Sequence, residues 1–301
     1  ILAAFPDRVA RRVDGATLRC EVVHARRGVL ARESVVRRAP LIVAADIREL
    51  DGRDRAQGAL LSLVTAIEPA WLEELFPTQI TRRTAAKFDM ESKRVVAEET
   101  TRFRDLAIDR RGVPPPAGDA ARLLAEEILA GRLVPDGWDA AVAQWIERVN
   151  FLARVAPDLG IPPIGPDDRR TLLEQLCAGA ISWKEVKGRG VMPVLRGWLS
   201  GAQQGLIDRH APERLELPNG RRPKVLYEPE AAPHLALRIQ DLYDVPKIPA
   251  IALGRVTPLL HILAPSQRPV QVTADLAGFW RDHYPRVKKE LQRKYPKHEW
   301  R

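Results

Sequence analysis

Three consecutive prolines, Pro114 to Pro116, limit how this 301-residue chain can fold more than any other feature. Proline fixes φ and offers no N–H, so neither a strand ladder nor a helix can run through three in a row. The stretch DRRGVPPPAGDAA (109 to 121), loosened further by Gly118, predicts a boundary between two kinds of structure.

Before it, ATLRCEVV, APLIVAADI and AQGALLSLVTAI are short apolar runs punctuated by Asp-Gly at 14 and 51, by Arg-Gly at 27 and by Pro40. That is the cadence of strands in a small barrel. A short helix, PAWLEELF, is expected next. ITRRTAAKFDMESKRVVAEETTRFRDLAI then predicts two strands joined at Asp89 to Ser92, a hairpin whose arms display arginines. About five strands with one short helix fit an OB-like β-barrel over residues 1–112, although a different small barrel would read the same.

After the prolines, residues 113–212 predict a helical domain or connector. Trp138, Val142, Trp145, Ile146, Val149 and Leu152 fall at offsets 0, 4, 7, 8, 11 and 14, one apolar helix face. Shorter patterns follow at Leu172, Leu173, Leu176 and Cys177 behind Asp167 and Asp168, and at Val191, Val194, Leu195, Trp198 and Leu199. Residues 213–301 predict an α+β domain: RPKVLYE as a strand after an Asn219-Gly220 turn, APHLALRIQDLYDV as a helix, and TPLLHILAP with RPVQV as two strands around a Pro-Ser turn. In the closing piece Leu276, Phe279, Trp280, Tyr284, Val287, Leu291 and Tyr295 form one apolar stripe, and Pro285 predicts the start of a second helix abutting the first. The fold class expected is α+β, with a barrel, a helical middle and basic terminal helices.

Charge is uneven. Residues 1–116 hold 21 Lys plus Arg against 17 Asp plus Glu, residues 117–212 hold 11 against 12, and residues 213–301 hold 16 against 10. Seven cations against Asp282 and Glu290 lie within residues 281–298 alone. A basic end on a near-neutral middle suggests a polyanionic partner, nucleic acid before membrane, because no lipid-facing apolar stripe goes with it. The plainer reading is a solvated helix face. The pairs Arg26-Arg27, Arg37-Arg38, Arg82-Arg83, Arg110-Arg111, Arg221-Arg222 and Lys288-Lys289 fall mostly at predicted turns or strand ends, where a guanidinium fork suits phosphate oxygens. A GC-rich coding bias would also produce such pairs. The candidate nucleic-acid contacts are Arg26, Arg27, Arg82, Arg83, Arg221, Arg222, Lys224, Arg286, Lys288, Lys289, Arg293 and Lys294.

Chemistry is hard to find. GxxxxGK[ST] and GxGxxG do not occur, and VKGRGVMP (186 to 193) lacks the Lys-Ser/Thr pair of a phosphate loop and reads as a turn before a helix. The six histidines show no HExxH spacing, and Cys20 and Cys177 have no CxxC neighbour, so no metal site is expected. No serine sits in a GxSxG frame. Adjacent acids such as Glu73-Glu74 would point about 100° apart on a helix. No catalytic residue is expected.

The segment from Leu235 onward is similar to the carboxy-terminal region of HrpB-type ATP-dependent helicases, bacterial members of the DEAH/RHA group; RPVQVTADLAGFW and VKKELQRKYPKHEW carry the likeness most specifically. LAAFPDRVARR (2 to 12) and LPNGRRPKVLYE (217 to 228) also resemble that family. The resemblance implies an accessory region lying after two RecA-like motor domains. ATP and Mg would be held by that motor, none in this segment, and a barrel after the motor would help line the path of single-stranded RNA. Ile1 in place of an initiator Met, and an end at Arg301, read as cuts from a longer cytoplasmic protein. Two further functions stand beside a strand-binding and motor-docking module: a protein-interaction module that recruits a partner or regulates the motor, and an independent enzyme.

Overall fold

A computed structural model describes residues 1–49 and 58–301; the expected Asp51-Gly52 turn lies outside the described residues. The chain divides into two compact units, Ile1–Leu123 and Leu124–Arg301.

In the first unit a closed barrel is built from β1 (Val9–Arg12), β2 (Arg19–Val22), β3 (Arg26–Leu30), β4 (Leu41–Glu49) and β5 (Ala59–Ala66), in the order β1-β2-β3-β5-β4. All neighbours are antiparallel except β3 and β5, which run parallel with Gly28 opposite Ala59. Arg27-Gly28 is therefore inside a strand and not the turn its composition suggested. The turn is one step earlier, at His24 and Ala25, both at positive φ (68° and 53°). Gly28 sits where the two strands come close: a Cβ there would be crowded, 3.0 Å from the Ala59 carbonyl oxygen and 3.1 Å from the Leu61 side chain.

Strand β4 explains the unbroken apolar run LIVAA. Ile42 and Ala44 face the barrel interior with Ala10, Cys20, Val22, Leu30 and Leu61. Leu41 and Val43 face the other way, into a second cluster with Val9, Leu72 and Phe103. A strand buried on both faces carries no polar alternation. Leu72 comes from helix α1 (Pro69–Leu75), the short helix expected from PAWLEELF.

The predicted hairpin forms as β6 (Ile80–Asp89) and β7 (Arg94–Phe103), but outside the barrel. A further strand, β8 (Leu106–Val113), joins it in a separate sheet of order β6-β7-β8. LAI at the end of the predicted hairpin is the start of that strand. β8 ends at Val113 and helix α2 (Ala117–Leu129) begins at Ala117, on either side of the three prolines.

The second unit holds both the helical middle and the carboxy-terminal sheet. Helix α3 (Ala140–Val155) starts at the Asp139 cap, which accepts from the Ala141 and Val142 N–H groups, and buries Val142, Trp145, Ile146, Val149 and Leu152 as their spacing predicts; Trp138 precedes the helix. α4 (Pro166–Cys177), α5 (Trp183–Val186), α6 (Val191–Gly197) and α7 (Gly201–His210) follow. Arg148 on α3 is buried, its side chain 4% exposed, and its guanidinium donates to the Ala211 carbonyl at 2.6 Å and to Asp208 at 2.8 Å.

APHLALRIQDLYDV is not a helix. His234–Arg238 forms strand β9 and Ile239–Leu242 a single 3-10 turn. The segment HLALR alternates in and out, and β10 (Leu259–Leu263) supplies a parallel partner, so pairing remote in sequence overrides local helix preference. β11 (Pro269–Thr273) completes the sheet β11-β10-β9. RPKVLYE makes only isolated bridges, Lys224 with Arg214 and Leu226 with His234, after the Asn219-Gly220 turn.

The closing helices are one continuous helical run. α8 (Leu276–Gly278) passes through a π-helical turn, Phe279–His283, into α9 (Tyr284–Lys294), with Pro285 in its first turn. In the π turn the Tyr284 N–H donates to the Phe279 carbonyl five residues back, keeping the run continuous where two separate helices were expected. Leu276, Phe279, Tyr284 and Leu291 are buried. The Tyr284 and Tyr243 hydroxyls lie 2.9 Å apart, and Tyr243 donates to the Glu299 carbonyl, tying the end of the chain to its own unit. Burial, then the Tyr243 contact, pushes the Tyr284 phenol well above its usual range. These aromatics anchor the terminus.

Candidate nucleic-acid interface

In the first unit a cleft of about 420 Å³ runs beside the β2–β3 hairpin, lined by Arg26, Arg27, Arg102, Arg110, Glu21 and Asp105 among others. Asp105 organises it: its carboxylate accepts the His24 N–H at 2.9 Å and the Ala25 N–H at 2.6 Å, holding the positive-φ turn. Burial pushes that carboxyl up, but the two backbone N–H groups outweigh it and its pKa falls below the ordinary value. Because the folded value is the lower one, Asp105 stabilises the unit above the unfolded carboxylate range, and that contribution is lost as pH falls through the folded value. Asp105→Ala is therefore expected to lower stability at neutral pH and to narrow its gap from the parent chain toward acid, read from denaturation curves at several pH values. A gap that stays constant down to acid would show that the carboxylate charge does not hold the turn.

The predicted contacts divide by what each already touches. Arg26 is spent on the barrel, donating to the Val23 and Asp7 carbonyls. Arg82 pairs with Glu73 at 2.6 Å, Arg221 with Asp241 at 2.9 Å, and Arg222 with Glu216 at 3.7 Å. Arg27 and Arg83 are exposed and form no ion pair among the described residues. Lys224 is exposed beside Arg148 and Arg214 in a second, smaller pocket. Arg102 was not among the expected contacts, and Arg110 was noted only as half of a basic pair. The signal that could have found them is the two-residue alternation along β7, with Arg102 on the same face as Thr100 and Glu98.

In the second unit, α9 places Arg286, Lys289, Arg293 and Lys294 in solvent, while Lys288, one turn from Tyr284 and from Leu291, is half-exposed beside the buried face. None of these five forms an ion pair among the described residues. Such cations can hold phosphate oxygens by charge and by donated hydrogen bonds.

Among the described residues no group of three or more His, Cys, Asp or Glu side chains is placed to hold a metal ion. His261 lies in β10, its ring stacked on that of His234 at 4.3 Å; burial, then the neighbouring imidazole, lowers the His234 pKa. The thiols of Cys20 and Cys177 are buried and pushed up to about 11. No described helix is long and apolar enough to cross a membrane.

Residues 172–301 match the model of the ATP-dependent helicase C-terminal family. Over its whole length the chain is 27% identical to the ATP-dependent RNA helicase HrpB of Escherichia coli (strain K12), of which it covers 37%. The fold is similar to that of the E. coli DExH-box NTPase HrpB, with a TM-score of 0.59 at 26% identity over 100% of this chain and 37% of that one. A second structure, of the E. coli DEAH/RHA helicase HrpB, gives 0.54 at 26% identity over 99% of this chain and again 37% of that one. The chain thus spans little more than a third of the length of these relatives. By sequence and by fold, it resembles the C-terminal region of an HrpB-type ATP-dependent helicase.

Proposed function

We propose that this chain is the non-catalytic accessory region of an ATP-dependent RNA helicase, binding single-stranded nucleic acid, RNA ahead of DNA, and docking on the RecA-like motor of the same parent chain. ATP and Mg belong to that motor, and the setting is cytoplasmic. The observation that carries strand binding is the set of five cations on α9 left without ion pairs while the apolar stripe of the same helix is buried. Protein surfaces ordinarily mix signs, and a concentration of uncompensated cations attracts a polyanion. The barrel supports the reading. Its strand order and its parallel β3–β5 pair fit an OB-type barrel, whose second and third strands bind oligonucleotides, and Arg27 stands on β3. The competing reading, a protein-interaction module without nucleic-acid contact, would grip through the basic face and the half-exposed Trp280, since Phe279 and Tyr284 are buried inside the unit.

The test is binding of a fluorescein-labelled single-stranded RNA followed by anisotropy across salt. Five phosphate contacts on α9 alone predict that log K falls against log salt with a slope of about −3.5 or steeper. A flat response, or no binding at low salt, would remove the strand-binding role and leave the interaction reading.

A further inference from the structure

The sheet β6-β7-β8 has two faces that treat their cations oppositely. Along β7, Val95, Ala97, Thr101 and Phe103 are buried on one face, while Val96, Glu98 and Arg102 are exposed on the other and Thr100 is partly so. Pairing carries this alternation across the sheet: Arg82 lies opposite Thr101 and Arg111 opposite Glu99 on the covered face, whereas Arg83 lies opposite Thr100, which in turn lies opposite Arg110, on the open face. The covered-face arginines are neutralised, Arg82 by Glu73 at 2.6 Å and Arg111 by Glu99 at 2.5 Å. On the open face the Arg83 and Arg110 side chains form no hydrogen bond or ion pair, and Lys87 no ion pair, among the described residues. Arg102 donates to the Asp105 carbonyl at 2.7 Å and stays exposed. Glu98 and, at the hairpin end opposite Arg94, Asp89 are the acids among the paired open-face positions of these strands.

We infer that this open face is a binding track for the phosphodiester backbone of a single strand, continuing the cleft beside β3. Arg102 and Arg110 belong to both, lining the cleft with Arg27 and facing outward on the sheet beside Arg83 and Lys87. The geometry suits a polymer better than one ion. Arg83 and Arg110 stand two strands apart, about 10 Å, and Lys87 four residues along β6 from Arg83, about 13 Å. Long side chains so spaced reach phosphates along an extended strand, with the Thr100 hydroxyl between Arg83 and Arg110 as a further donor. The face carries no aromatic residue at its paired positions, so binding there is indifferent to base identity. The inference rests on the proposed strand-binding function and assigns part of it to a surface separate from α9.

Two charge-matched double variants test it. Arg83→Gln with Arg110→Gln removes two open-face cations; Arg82→Gln with Arg111→Gln removes two from the covered face. With a labelled single-stranded oligouridine, the open-face pair is expected to weaken binding at least about tenfold and to make the salt slope shallower by about 1.4. The covered-face pair should stay within about twofold, since its charges are already compensated. Circular dichroism and melting establish that both variants fold, and Arg83→Lys with Arg110→Lys, which keeps the charge, should retain most of the affinity. Equal losses from both pairs, or loss from neither while the parent chain still binds, overturns the track and leaves α9 as the contact. If the parent chain itself does not bind the strand at any salt, the track and the proposed function fall together.

Discussion

Replacing Phe103 by alanine is expected to cost the first unit about 3–5 kcal/mol, the range for emptying a fully buried aromatic site. Phe103 ends β7, is wholly buried, and packs its ring 5.6 Å from that of Phe76. Its cluster joins Val9 and Val43 of the barrel, Leu72 of α1 and Leu106 of β8. A domain of this size has only about 5–15 kcal/mol of stability in total, so the loss is a large part of it. Val96→Ala, on the exposed face of the same strand, should change stability by no more than about 0.5 kcal/mol. Denaturant unfolding of the two variants is the comparison, with separate transitions for the two units allowed for in the fit. Near-equal effects would mean that the β6-β7-β8 sheet does not share a core with the barrel.

The second large effect concerns binding. Reversing Lys288, Lys289, Arg293 and Lys294 to glutamate should reduce affinity for single-stranded RNA by at least about a hundredfold at low salt and remove about 2.8 of the salt slope, since four of the five α9 contacts become repulsive. The helix itself should survive, because its buried side is made by Tyr284 and Leu291 and these cations form no ion pairs among the described residues. Arg293 and Lys294 sit in the last turn, where positive charge favours the helix dipole, so reversal there costs about 0.3–1 kcal/mol each. A companion set with glutamine in place of glutamate separates that cost from repulsion. Unchanged affinity in both sets, with the fold intact, would take α9 out of the nucleic-acid interface and turn attention to docking.

Amphipathic spacing made the helices legible. The offsets of Val142, Trp145, Ile146, Val149 and Leu152 place one face of α3 in the core, and the stripe from Leu276 to Leu291 places the terminal helix, because helix hydrogen bonds are local and only the apolar face needs a partner. The hairpin turn at Asp89 to Ser92 was legible for the same reason: Asp89 accepts the Ser92 N–H within the turn itself. The β2–β3 turn was not. Ala25 does not favour positive φ and His24 favours it only weakly, and the group that holds them there, Asp105, is 80 residues and more away in sequence. HLALR was misread because the strand β10 that fixes it comes from later in the chain.

The sequence by itself determined where the amphipathic helices form, that the chain breaks at Pro114 to Pro116, and that net positive charge gathers toward the end. Only the tertiary structure decided which of those cations are free to act. A basic pair such as Arg82-Arg83 is two equal charges in sequence, but strand alternation sends one to Glu73 and the other to solvent. Charge is a property of the residue; its compensation depends on what folding brings within a few ångströms, and that distance is not written in any local stretch of chain.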